Sequence, residues 1–547
     1  MLARLVSRIL PTWQNALLAI LGAVMLILAF PDFDYWLLAW FALVPLMWAV
    51  EREKDSTAKS FVTGWLFGTI FFFGTCWWLT FAPINYAGFP WWLAYLLLLC
   101  VCLVVGLFPA MFAGILSLFL RRKGPVALVD AVWIWVALEF LRYWLTGNNW
   151  NAIGYTTAGG GPFLSLAAEG GVYLVSGFTV IINSTIAMIP YFGKQTNLRA
   201  RYQAYLVGWI FLMSLALFFV LSFLKPYELA TSKDASVTKV VAVQPNVPMS
   251  GLDYSKYDQL RQRQVELSEG RVNGVRNPPL RLKEGEPVPV HGPEFKPYQM
   301  LVVLPESPMN FAYNDDREFQ EFIGDFARRN NVSVLFNSAE PDVGTTKYFN
   351  SAVMVGPDGK EAAQYDKIYL LPFGEAVPRP LEGILPGFVG NFAYGREYDI
   401  LPVGDAKAGV MICFESHFGA LSREYVRNGA DVLIEMTNDG YLGPTPVLRQ
   451  HLANAVFRAV ETNRPVLRVT NVGITAYINE RGQVLDEAPS YTEATRVWSV
   501  AKSDGSQTFY VKYGDWFAWL CSVVTVGLLV FGIISDRKRK LITDEHS

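Results

Sequence analysis

Polarity is distributed in blocks along this chain, and that distribution restricts the fold more than any single motif does. Long apolar runs fill residues 14–224 and return once near 516–534, whereas residues 231–510 have the mixed polarity of a water-exposed domain. An apolar stretch of roughly 20 residues is what crosses hydrocarbon as a helix. With 52% hydrophobic and only 17% charged residues, the 547-residue chain exceeds what the core of an ordinary soluble enzyme requires. The expected organisation is a membrane part at 1–230, a soluble domain at 231–510, and a last span with a basic tail at 511–547.

Hydropathy marks eight expected crossings, at 13–30, 35–50, 61–82, 91–120, 126–144, 163–189, 204–224 and 516–534, which together make a polytopic α-helical membrane bundle. Lys and Arg stay preferentially on the cytoplasmic side of a membrane, and here they occupy alternate connections. They are Arg4 and Arg8, then Arg52, Lys54 and Lys59, then Arg121, Arg122 and Lys123, then Lys194, Arg199 and Arg201, and finally Arg537 to Lys540. The intervening connections FAPINYAGFPWW and TGNNWNAIGYTTAGGGPF carry none. Both chain ends are thereby expected in the cytoplasm, with the soluble domain facing outward. The first span reads as a retained anchor, because it lacks a clear small-residue cleavage site.

Within 231–510, short apolar runs that end in polar residues alternate with helical patterns. KVVAVQPNV, MLVVLPES, VSVLFNSAE, AGVMICFES and ADVLIEMTND read as strands, and SAVMVGPDGK turns at Asp358-Gly359 into a further strand, EAAQYDKI. DREFQEFIGDFARRN places Phe319, Phe322, Ile323 and Phe326 on one helical face, and PVLRQHLANAVFRAVETN is also helical. Such alternation favours an α/β sandwich displaying reactive side chains at strand ends. Residues 268–298, rich in Pro, Gly and charge, read as an irregular surface excursion. No zinc-spaced cysteine set or phosphate loop is apparent, so no cofactor or metal is expected. Of five cysteines, four fall in or beside apolar spans, which leaves Cys413 alone in the soluble part.

Glu306 in VVLPESP, Lys367 in YDKIYLLPFGEAVP and Cys413 in GVMICFES supply a carboxylate, an amine and a thiol. Brought together, they solve three parts of acyl transfer. The carboxylate moves protons, the thiol attacks an ester carbonyl, and the cation supports the oxyanion with help from backbone donors near Phe414. Taken singly, Glu306 also suits a strand cap or ion pair, Lys367 an ordinary surface position, and Cys413 a structural thiol. Arg458, Glu461 and Arg464 have the spacing of a salt-bridged brace, and His451 reads as a helix-packing or hydrogen-bonding residue outside the reacting group. Glu139 and Arg142, three apart in a span, have the spacing of a pair.

These motifs carry a resemblance. The soluble domain resembles the nitrilase, or carbon-nitrogen hydrolase, superfamily, and the whole chain resembles the bacterial apolipoprotein N-acyltransferase family. The resemblance implies a periplasmic nitrilase-like αββα sandwich between the seventh and eighth spans. It also implies Glu306 as general base and acid, Lys367 as oxyanion-supporting cation and Cys413 as nucleophile. LLPFGEAVP and CFES supply Glu375 and Glu415 as supporting carboxylates, and NDGYLGPTPVLRQHLANAVFRAVETNRPVLRVTNVG follows the family as well. Trp150, Tyr155, Tyr441 and Leu442 become candidates for the substrate pocket. Departures from the pattern are Phe414 for a common Tyr, Tyr369 for a common His, Tyr441-Leu442 for Trp-Phe, and Asn148-Asn149 for Phe-Pro.

The implied reaction moves an acyl chain from a membrane phospholipid through a Cys413 thioester to the α-amine of a diacylated lipoprotein, in the inner membrane. The implied protein is a monomer that binds no nucleic acid. Two alternatives are a membrane-anchored amidase or hydrolase that finishes with water, and a lipoprotein-binding protein without turnover.

Overall fold

The computed structural model describes residues 9–160, 163–191, 208, 237–250, 254–276, 299–306, 312–372, 374–377 and 392–544. The chain divides into two compact units, Met1–Tyr227 with Tyr513–Ser547, and Glu228–Lys512.

The first unit is helical, and it corrects the expected eight-span bundle. Among the described residues, three helices are long and apolar enough to cross a membrane: Trp91–Thr146, Leu164–Tyr191 and Trp516–Ser535. A fourth is reached if Thr57–Thr75 and Trp77–Asn85, bent by 61° at their junction, form one span. The first two expected crossings fall short for a geometric reason. One is a helix of 17 residues, Trp13–Ala29, and the other breaks into a five-residue 3-10 turn and the ten-residue helix Leu43–Arg52. At about 1.5 Å per residue, neither length of α-helix reaches across hydrocarbon of about 30 Å. The expected spans 91–120 and 126–144 join into the single Trp91–Thr146 stretch, in which Arg121, Arg122 and Lys123 close one helix before Gly124. The expected span at 204–224 lies outside the described residues apart from Gly208.

Small residues let these helices approach closely, as in membrane packing generally. A Cβ on Gly64 would stand 2.3 Å from the Pro109 carbonyl oxygen, and one on Gly68 would stand 2.8 Å from the Pro109 ring. Asn183 ties the break between the 3-10 turn Trp36–Trp40 and the helix Leu43–Arg52. Its amide nitrogen donates to the Ala39 carbonyl at 2.8 Å, and its oxygen accepts from the Leu43 N–H at 2.9 Å.

The second unit is built on two mixed sheets, neither closed into a barrel. The first contains β1 (Thr238–Gln244), β2 (Met300–Val303), β3 (Ser333–Pro341), β4 (Tyr348–Val355), β5 (Glu361–Asp366), β6 (Phe392–Ala393) and β13 (Ala494–Val500). Its order is β13-β1-β2-β3-β4-β5, with β6 pairing β4. The second contains β7 (Ile400–Val403), β8 (Ala406–Ile412), β9 (Val432–Thr437), β10 (Val466–Thr470), β11 (Ala476–Ile478) and β12 (Val484–Leu485), ordered β12-β11-β10-β9-β8-β7. Strands β1, β2 and β3 run parallel, as do β8, β9 and β10. Every residue of β2, β9 and β10 is buried, which is why these strands read as unbroken apolar runs instead of alternating ones.

The helix Arg317–Asn330 begins where Asp316 caps the Phe319 N–H at 2.9 Å and ends at Asn331 in the left-handed region. It buries Phe319, Ile323 and Phe326 in one core with Val302, Val334, Phe336 and Val353 of the first sheet. The expected irregular excursion is corrected over 268–276, which belongs to the helix Tyr254–Arg276; residues 277–298 lie outside the described residues.

Candidate active site

Polar residues collect where apolar strands end, because there the backbone leaves the sheet and a side chain can be displayed without interrupting the core. Glu306 follows β2, Lys367 follows β5, Cys413 follows β8 and Asn438 follows β9. The two sheets therefore contribute opposite sides of one site. Lys367 is buried, while Glu306, Glu375 and Cys413 are partly buried.

Lys367 Nζ lies 2.8 Å from Glu375 Oε1. Asn350 donates its amide hydrogens to Glu375 Oε1 at 2.6 Å and to Glu306 Oε1 at 3.2 Å, which fixes the two carboxylates beside one another. The Asn438 N–H donates to Glu306 Oε2 at 3.2 Å, and the Glu306 carboxylate hydrogen-bonds the Cys413 thiol. Glu375 Oε2 also accepts the Leu371 N–H at 2.7 Å, closing the turn that carries it.

Electrostatics gives each group a protonation preference. Burial pushes Glu306 up from the carboxylate range; Lys367 opposes this and Glu375 adds to it. Burial would lower the Lys367 ammonium, but Glu375, Glu306 and Cys413 outweigh it and hold the group above its ordinary value. Burial and then Glu306 push the Cys413 thiol well up, with Lys367 opposing. The arrangement is thus a thiol next to the Glu306 carboxyl group and a fixed cation. Proton transfer from sulfur to Glu306 is the step that this arrangement makes available.

Cys413 has φ of 52°, in the left-handed region that a residue bearing a Cβ adopts only when its surroundings hold it there. The chain turns at this point from β8 into the 3-10 segment Cys413–His417. A continuing strand would have put Glu415 on the face of Cys413; the turn sends it elsewhere. Glu415 Oε1 accepts from the Tyr365 hydroxyl at 2.8 Å, the Ile368 N–H at 2.7 Å and the Tyr369 N–H at 3.0 Å, and Oε2 accepts the Ile412 N–H at 2.9 Å. It thereby clamps the segment that carries Lys367 to the one that carries Cys413. Burial first of all pushes its carboxyl up to about 7, against Lys367 and these donors.

Phe414 is buried, its ring 4.8 Å from that of His417 and 5.3 Å from that of Phe418. Tyr369 stacks on Phe418 at 4.0 Å. Tyr441 is exposed in the turn Asp439–Leu442, and Leu442 is partly buried. Trp150 and Tyr155 belong to the helical unit. The Trp150 ring lies 5.0 Å from Trp78 and its carbonyl accepts from Arg142 at 2.7 Å, while Tyr155 is buried in a 3-10 turn. Glu139 accepts from the Trp135 indole and the Ile153 N–H, both at 2.9 Å, and Arg142 donates to the carbonyls of Asn149 and Trp150, so both residues anchor the loop at 149–153. Arg458 pairs with Glu461 at 2.7 Å, whereas Arg464 donates to the carbonyls of Ala430, Asn463 and Ser506.

Sequence reading missed Asn350 and Thr437, whose hydroxyl reaches the Cys413 sulfur. It also missed Glu435 and Arg468. Their signal was a charge inside the otherwise apolar runs VLIEMT and VLRVT.

Comparison with known proteins gives three findings. Residues 22–185 match a family profile described as "Apolipoprotein N-acyltransferase N-terminal domain", and residues 291–508 match "Carbon-nitrogen hydrolase". The apolipoprotein N-acyltransferase of Geobacter metallireducens is 30% identical over 538 residues, covering 96% of this chain and 96% of the relative. That of Thermotoga maritima is 28% identical over 521 residues, covering 93% and 92%. Among solved structures, an amidase from Nesterenkonia sp. aligns with a TM-score of 0.36 and 15% identity, over 52% of this chain and 95% of the amidase.

Proposed function

Because this chain belongs to the apolipoprotein N-acyltransferase family, we propose that it transfers an acyl chain from a membrane phospholipid to the N-terminal α-amine of a diacylated lipoprotein through a thioester on Cys413. The observation that carries the reading is the meeting of Glu306, Lys367 and Cys413 around the Glu375–Asn350 contacts, in a chain that aligns with its curated relatives almost from end to end.

In the first half-reaction Glu306 takes the thiol proton as sulfur attacks the ester carbonyl. Negative charge develops on the carbonyl oxygen near the Lys367 ammonium and the Phe414 N–H. Collapse breaks the ester C–O bond, and Glu306 returns the proton to the departing lysophospholipid oxygen. In the second half the lipoprotein amine attacks the thioester, Glu306 accepts the amine proton, the C–S bond breaks and the proton passes to the thiolate. Glu375 holds Lys367 in place, and Tyr441 and Leu442, in the turn Asp439–Leu442, border the acyl path. No nucleotide is consumed, since an ester is exchanged for an amide.

Both substrates carry acyl chains that remain in the bilayer, each buried methylene contributing roughly 0.8 kcal/mol. Lateral delivery from an inner membrane suits the apolar helices of this chain, with the reacting unit on the periplasmic side and both termini in the cytoplasm. A membrane-impermeant maleimide should therefore label Cys413 in intact spheroplasts; labelling only after lysis would refute that orientation.

The decisive experiment supplies labelled phospholipid to the purified protein in membranes and then adds a diacylated lipopeptide. Mass spectrometry should find an acyl adduct on Cys413 that disappears only when the amine arrives, with an equal mass gained by the peptide. Cys413→Ala should form no adduct. Loss of the adduct to water, with free fatty acid and no modified peptide, would instead identify a hydrolase.

A further inference from the structure

A second cluster of buried charge meets Cys413 from its backbone side. Glu435 on β9 and Arg468 on β10 are register partners on adjacent parallel strands and lie 2.5 Å apart. Arg468 also reaches Asp439 Oδ2 at 2.7 Å. His451, on the helix Val447–Thr462, sits among them. Its Nδ1 is 2.7 Å from Asp439 Oδ1, and its Nε2 is 3.1 Å from Glu435 Oε1, 2.9 Å from Ser416 Oγ and 3.1 Å from the carbonyl oxygen of Cys413 itself.

Carboxylates and backbone carbonyls only accept hydrogen bonds. Asp439 at Nδ1 and the Cys413 carbonyl and Glu435 at Nε2 can only accept, while the Ser416 hydroxyl can accept as well as donate, so an imidazolium is the form that donates to every acceptor around the ring. Two cations then balance two carboxylates. The pKa agrees: burial and Arg468 push His451 down, but Asp439 and Glu435 outweigh them and raise it to about 9. The remaining titratable group facing it, His417 of the Cys413–His417 turn, is held well below its ordinary value by burial and by His451, and stays neutral.

The carbonyl that His451 grips belongs to the residue with φ of 52°. Peptide planarity makes the Cys413 carbonyl and the Phe414 N–H point in opposite directions, so holding one aims the other. Thr437 links the same cluster to the thiol, since its hydroxyl reaches the sulfur and lies 3.4 Å from Asp439 Oδ1.

We propose that His451 is a positioning residue for Cys413: gripped by Asp439 and Glu435, it holds the Cys413 carbonyl, fixes the directions of Sγ and the Phe414 N–H, and cancels carboxylate charge beneath the thiol. The proposal deepens the acyl-transfer reading and rests on Cys413 being its nucleophile.

The test follows the rate at which iodoacetamide alkylates Cys413 in the full chain in phospholipid nanodiscs from pH 6 to 10, by peptide mass spectrometry. It compares the parent, His451→Gln, His451→Asn and the control Phe326→Leu, which loosens the helix Arg317–Asn330 on the other sheet. His451→Gln should alkylate about tenfold more slowly at pH 8, with the midpoint of the profile about one pH unit higher, the size of effect expected from losing one nearby charge. His451→Asn, which also removes the ring, should slow alkylation likewise, whereas Phe326→Leu should keep the parent's rate and midpoint. A folded His451→Gln protein with the parent's rate and midpoint overturns the proposal. So does a control that shifts as far as His451→Gln. Where His451→Gln does not fold, an unchanged rate in His451→Asn has the same force. A parent that alkylates with this profile but forms no acyl adduct defeats the acyl-transfer reading alone, and the His451 proposal is then decided on the alkylation rates.

Discussion

Glu306 and Lys367 flank one thiol, yet their replacement is expected to fail in different ways. Glu306→Gln keeps one acceptor oxygen, for either the Asn350 amide or the Asn438 N–H, and removes the ability to take a proton. Acylation of Cys413 should fall by about 10²–10⁴, with a loss of stability no greater than about 1–3 kcal/mol from the one displaced donor. Lys367→Met leaves Glu375 and Glu306 without their cation in a buried site. Loss of activity should there be accompanied by destabilisation of about 3–5 kcal/mol in denaturant unfolding, the cost of an uncompensated buried charge. Equal stability of the two variants would contradict the assignment of roles. These residues were legible in the sequence because each stands just beyond a strand, in a local setting that narrows its chemistry. Asn350 was not, because a polar residue within a strand such as YFNSAVMV reads as a solvent-facing alternation, and only pairing shows that it faces two carboxylates.

Strand β8 shows how an element delivers a residue. Gly409 gives the Tyr425 ring room to lie against the strand, for a Cβ there would stand 2.4 Å from the Tyr425 ring carbon Cγ. Tyr425 in turn donates to the Val410 carbonyl at 2.6 Å. Gly409→Ala should displace one or the other, costing about 1–3 kcal/mol by overpacking and moving Cys413 at the strand's end. A lowered thermal midpoint together with slower acylation of Cys413 is expected; an unchanged midpoint would show that β8 can yield. The helix Arg317–Asn330 was readable from its apolar spacing, since that is local. The bend at Cys413 was not readable. A positive φ at a cysteine has no compositional signature of the kind that Gly or Asn provides, and here contacts from His451 and Glu415 impose it.

For the molecule as a whole, the buried cluster makes stability depend on pH in a definite direction. The folded value of His451, about 9, lies above the ordinary 6.5. Its contribution is therefore fully present below pH 6.5 and is lost as pH rises through 9. The difference corresponds to roughly 3 kcal/mol. Glu415, raised to about 7 from 4.5, acts in the same sense at lower pH, its contribution being lost as pH rises through 7. Thermal unfolding followed by tryptophan fluorescence should show a midpoint that falls between pH 6.5 and 9, and His451→Gln should flatten that fall. A parallel slope in the variant would remove His451 as the source. The division into an apolar helical unit and a strand-rich unit was determined by the sequence itself, because the solvent each block can tolerate is a property of its composition. The number of helices long enough to span was decided by tertiary structure, since breaks at 30–43 and near Cys76 and the joining of Trp91–Thr146 depend on packing and not on hydropathy. The meeting of Glu306 and Lys367 with Cys413 across two sheets was likewise beyond local reading, because residues far apart in sequence become neighbours only when long-range strand pairing fixes where each strand ends.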